Sequence, residues 1–143
     1  MKAWKIIVAG IVFAIIAQII HYVEAIATMG FYMDPTYFTV WSKIMMPTEG
    51  APPAEFYYFS IGFGIITGII YAVVYAMVKK SVPGKTIVKQ GLYFGFLLFL
   101  LGIPHTLAMY LIINLPTLLL FYWTITGLII NLIGGVIIAG IVK

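Results

Sequence analysis

The chain has 143 residues, 64% of them hydrophobic and only 8% charged, with a mean hydropathy of +1.14; an ordinary soluble domain carries about 25% charged residues. A single domain of this size cannot hide so much apolar surface from water, so hydrocarbon is its main solvent. The net charge of +4 comes from eight lysines against four acids, with no arginine and no cysteine, which excludes the basic face of a nucleic-acid binder, disulfides, and Cys-ligated metal centres.

Four apolar stretches are long enough to cross a hydrocarbon core of about 30 Å, which takes about 20 helical residues. They are expected near 5–29, 55–78, 91–113 and 117–141. In the first, Gly10, Ala14, Ala17, Gln18, His21, Glu24, Ala25 and Thr28 fall on one helical stripe of small and polar residues, which should face protein rather than lipid. Lys2 and Lys5, the apolar run to Ile20 and the Ala25-Ile26-Ala27 triplet also fit a cleavable signal peptide, and cleavage there would leave three spans.

The connection that follows, "GFYMDPTYFTVWSKIMMPTEGAPPA", opens with Asp34-Pro35, an N-cap followed by a proline suited to the first helical position. Phe38, Trp41 and Ile44 or Met45 recur at helical spacing and predict a short amphipathic interfacial helix over about 35–46. The second connection, "KKSVPGKTIVKQ" at 79–90, carries Lys79, Lys80, Lys85 and Lys89 around Pro83-Gly84 and must lie outside the hydrocarbon. The third is only "INLPT", so Pro116 opens the fourth span after a tight turn.

Glycines recur along the later spans: Gly64 and Gly68, Gly91 and Gly95, then Gly127, Gly134 and Gly135. In lipid, helices associate by van der Waals packing at small-residue faces, which makes these the expected helix contacts, within one chain or in a homo-oligomer. "ITGII" at 66–70 returns as "ITGLI" at 125–129, a weak echo that fits two hairpins inserted in the same sense.

Orientation follows from charge. Lys2, Lys5, Lys79, Lys80, Lys85, Lys89 and Lys143 fall on one side of a four-span arrangement, and only Lys43 falls opposite. Glu24, Asp34, Glu49 and Glu55 collect at or near that opposite side, so the positive-inside rule predicts a multi-pass cell-membrane protein with both termini in the cytoplasm.

His21 stands sixteen residues after Lys5, and His105 sixteen residues after Lys89; at 1.5 Å per residue each is raised by about 24 Å to a shared depth. Pro104 before His105 removes a backbone hydrogen bond and frees a carbonyl. His21, Glu24 and His105, with Gln18 or Glu55 beside them, are therefore expected to converge toward the outer side, as ligands for a metal or haem or as a proton-handling cluster. The plainer alternative has His21 and Glu24 reaching the headgroup layer while His105 bonds a neighbouring carbonyl. One His-x-x-Glu does not define a metal site, because carboxylate-bridged di-metal bundles use two Glu-x-x-His pairs and further glutamates.

No phosphate loop, nucleophile elbow or zinc-protease motif occurs, which favours a non-enzymatic protein. The Tyr71, Tyr75 pair and the Tyr57-Tyr58 and Tyr122-Trp123 pairs read as packing and aromatic-belt residues. The runs "MDPTYFTVWSKIMMP", "GFGIITGIIYAVVYA", "LGIPHTLAMYLIINLP" and "YWTITGLIINLIGGVIIA" resemble uncharacterised small four-span integral membrane proteins; the resemblance implies the layout and no site residue. The sequence thus predicts an all-α, polytopic membrane protein, a four-transmembrane-helix antiparallel bundle with a short outer interfacial helix. Its partner is the lipid bilayer and not nucleic acid. Its role is structural, or small-solute or ion passage as an oligomer, with a histidine-based metal or haem site as the alternative.

Overall fold

The computed structural model describes residues 2–46 and 50–143. Glu49 lies outside the described residues. Helix α1 spans Ala3–Ala27, the short α2 Met29–Tyr32, α3 Ala54–Val78, α4 Ile87–Ile112 and α5 Thr117–Val142. The four longer helices are each long and apolar enough to cross a membrane, which marks an integral membrane protein. They alternate in direction, so one end of the bundle gathers the lysines and the other gathers the acids.

The third span starts at Ile87 rather than Gly91. Thr86 causes this: its side chain accepts a hydrogen bond from the Lys89 backbone N–H at 3.3 Å, an N-cap that satisfies one of the free donors of the first turn. Lys89 and Gln90 thus ride on the helix although hydropathy assigns them to the loop. Pro116 stands at the N-cap of α5, directly before Thr117.

The predicted interfacial helix is shorter and of another kind. Asp34 caps it as expected, its carboxylate accepting from the Thr36 N–H at 2.9 Å, but a 3₁₀ helix runs only over Pro35–Val40 and Trp41 is extended. The chain then turns through Ser42, whose carbonyl accepts from the N–H groups of Met45 and Met46. Trp41 packs its ring 5.1 Å from Tyr32 and 6.4 Å from Trp123. This tertiary contact draws Trp41 away from the regular face that helical spacing predicted.

α1 and α5 form the middle of the bundle; α3 lies against α1, and α4 against α5. Small residues make both outer contacts. On α1 the Gly10, Ala14 edge meets Gly64 and Gly68 of α3, so closely that a Cβ on Gly68 would stand 2.5 Å from the Gly10 carbonyl oxygen. On α4 Gly91 and Gly95 meet Gly135 of α5, where a Cβ on Gly135 would collide with the Gly91 carbonyl and stand 2.7 Å from the Gly95 nitrogen. Gly134 makes room for the Phe13 ring, which joins α1 to α5. Gly127 differs from the expectation, since a Cβ there would meet nothing within 4 Å. The echo between "ITGII" and "ITGLI" therefore has no counterpart in packing, because Gly68 sits at a helix contact and Gly127 in open space.

At the lysine end the helices are tied together. The Tyr75 ring stands edge-on to Phe94, centroids 5.0 Å apart, and both side chains are buried. Gln90 donates to the Gly84 carbonyl at 3.1 Å. Lys79 donates to the Val142 carbonyl at 3.2 Å, placing a cation at the C-terminus of α5, where the helix dipole favours it. α3 and α4 touch at this end but are not packed together along their length.

Candidate functional site

The acidic end of the bundle is open. A cavity of about 670 Å³ lies there between α1, α2, the start of α3 and the connecting segment. Its wall includes Tyr22, Glu24, Tyr32, Phe56, Tyr57 and Trp123, and Met29, Met33, Met45 and Met46 fill the gaps between them. A second cavity of about 320 Å³ continues between α1, α3 and α5, lined by Phe13, Thr67, Tyr71 and Asn131 among others. Gln18, His21 and Ser60 line both. The two spaces adjoin at these side chains, and Ser60 donates a 3.0 Å hydrogen bond to the Gln18 side-chain oxygen.

The deeper space reaches far into the bundle. Asn131 lies fourteen residues along α5 from Thr117, about 21 Å at the helical rise. Its amide folds back to donate to the Gly127 carbonyl at 2.9 Å, and with no side chain at Gly127 the space stays open. Phe13 closes the lower end. Its ring is buried, 5.4 Å from Tyr71 in an edge-on arrangement, and lies against Gly134.

Glu24 sits in the last turn of α1 beside the exit to α2. The buried Thr28 hydroxyl lies 2.7 Å from its Oε1 and 2.8 Å from its backbone carbonyl, so a single hydroxyl proton serves one acceptor at a time. One turn further, the Tyr32 hydroxyl accepts from the Trp123 indole N–H at 2.8 Å. Burial pushes the Tyr32 phenol above its ordinary pKa, the Trp123 hydrogen bond opposes the rise, and the Glu24 charge adds to it. Tyr32 therefore stays a neutral phenol at physiological pH. Trp41 backs this wall, and its buried indole N–H has no partner among the described residues.

Of the residues singled out in the sequence, Gln18, His21 and Glu24 come together at the cavity wall. His105 does not join them. It is exposed on α4 and lines neither cavity, because α4 packs on α5 and not along α1. Glu55, exposed in the first turn of α3, also lines neither cavity. Among the described residues no three His, Asp or Glu side chains form a group able to hold a metal ion. Among the described residues His21 and Glu24 are the only His, Asp or Glu side chains lining the cavities, two of the at least three protein ligands that a zinc site uses. The aromatic wall of Tyr22, Tyr32 and Trp123 was not singled out as a site; its only sequence signal is aromatic density near the ends of the first and fourth spans.

The chain gives no match to a protein-family model and no significant match to a curated protein or a solved structure.

Proposed function

We propose that this chain is a non-enzymatic membrane protein, with both termini in the cytoplasm, that admits a small solute from the outer face into the membrane interior. The observation that carries this reading is the pair of cavities meeting at Gln18, His21 and Ser60. A volume of several hundred Å³ lined by apolar side chains and a few polar groups is the usual form of a small-molecule site. Both cavities are lined by residues of a single chain.

The lysine distribution supports the orientation, since the positive-inside rule places the lysine end in the cytoplasm and the open acidic end outside. The arrangement then corresponds to an outward-open form. Phe13 and the Tyr75–Phe94 contact close the path toward the lysine end. Passage requires these aromatic contacts to separate, whereas binding alone does not.

The cysteine-free chain allows a direct test. Ser60→Cys is expected to react with a membrane-impermeant thiol reagent added to intact cells, and Lys85→Cys only after permeabilisation. Reaction of position 85 in intact cells would overturn the orientation, and an unreactive Ser60→Cys would overturn the outward-open cavity.

A further inference from the structure

The chemistry of the cavity wall narrows the solute class. Among the described residues it holds one carboxylate, Glu24, and no lysine or arginine. The same wall holds Tyr22, Tyr32, Tyr57 and Trp123, with Phe56 and the methionines completing an apolar lining. Cations are attracted to the faces of Trp and Tyr rings, most strongly when desolvated, and polarizable methionine sulfur adapts to irregular apolar shapes. We propose that the cavity binds an organic cation bearing apolar groups, with Glu24 as its counter-ion and the aromatic wall as its seat. This inference rests on the outward-open cavity argued above.

Two other occupants fit less well. An anion would meet a carboxylate and no compensating cation. A neutral apolar molecule, such as a lipid chain, would strip water from Glu24 and leave its charge unpaired, which is costly in an apolar site. The surrounding charge favours the same choice. Asp34 and Glu55 lie at this end with Lys43 as the opposing cation, so the approach to the cavity draws in positive ligands. The Tyr32 hydroxyl, which accepts from the Trp123 N–H, adds no positive charge to the wall.

The test is equilibrium dialysis of the purified protein in detergent against empty micelles of the same detergent, so that partition into micelles cancels. The probes are tetraphenylphosphonium and tetraphenylborate, nearly equal in shape and opposite in charge. At pH 8 an imidazole of ordinary pKa, about 6.5, is neutral, which leaves Glu24 as the charged group of the wall. The expected result is saturable binding of the phosphonium at least tenfold tighter than of the borate. Glu24→Gln should weaken phosphonium binding at least tenfold without weakening the borate. Tyr57→Leu, a change at a partly exposed side chain that keeps an apolar lining, should weaken the phosphonium severalfold and serves if Glu24→Gln does not fold. Equal affinity for the two ions, or no saturable phosphonium binding, would overturn the proposal. If Ser60→Cys is still labelled from outside in that case, the cation assignment alone has failed; if it is not, the cavity reading has failed with it.

Discussion

Phe13→Ala is expected to destabilise the folded protein by about 3–5 kcal/mol, the cost of truncating a buried phenylalanine. The ring, carried by α1, touches two other helices, lying edge-on to Tyr71 of α3, in the space left by Gly134 of α5, and beside Gly68 where α1 crosses α3. Those neighbours are backbone or an aromatic ring, so the site has little means of collapsing around the deletion. Dispersion contacts are lost without replacement. The measurement is unfolding in mixed micelles followed by circular dichroism. A midpoint within error of the parent would show that Phe13 does not join the helices as described.

The second large effect lies between α4 and α5. Gly135→Ala should cost about 1–3 kcal/mol, the usual penalty for overpacking, because its methyl group meets the backbones of Gly91 and Gly95. Backbone cannot turn aside as a flexible side chain does, so the two helices must separate along their shared face. Gly102→Ala and Gly140→Ala provide the contrast, since nothing lies within 4 Å of an added Cβ at either position. There alanine should be neutral or stabilise by up to about 1 kcal/mol through its better helix propensity. The opposite signs at residues of the same type distinguish a helix contact from a mere abundance of glycine.

The spans could be read from the sequence because hydropathy measures what lipid demands of a helix, and it placed them within a few residues of the observed ends. It missed the start at Ile87 because a cap is local hydrogen-bond chemistry that polarity averages conceal. The small-residue rule found Gly68, Gly91, Gly95 and Gly134 but also marked Gly127, which has no close neighbour. Spacing fixes a residue's position around its own helix and not which helix comes to meet it. The same limit explains His105. Its rise from Lys89 can be counted in the sequence, but its distance from His21 depends on α4 packing against α5 rather than α1. His21, Glu24 and Gln18 share one helix and were found together, whereas the contact between Tyr32 and Trp123 joins residues 91 positions apart and leaves no periodic trace.

Entry of a solute requires the outer cavity to continue into the membrane interior, and position 67 tests this directly. Thr67 lines the deeper space, while its neighbour Ile66 lines neither cavity and is exposed on the outer surface of α3. The measurement is the rate at which a small, charged, impermeant thiosulfonate added outside modifies Thr67→Cys and Ile66→Cys in intact membranes. The predicted result is clear modification of Thr67→Cys, slower than of Ser60→Cys, with Ile66→Cys shielded by lipid. Thr67→Cys reacting no faster than Ile66→Cys, while Ser60→Cys reacts readily, would contradict a path that passes beyond the mouth of the cavity.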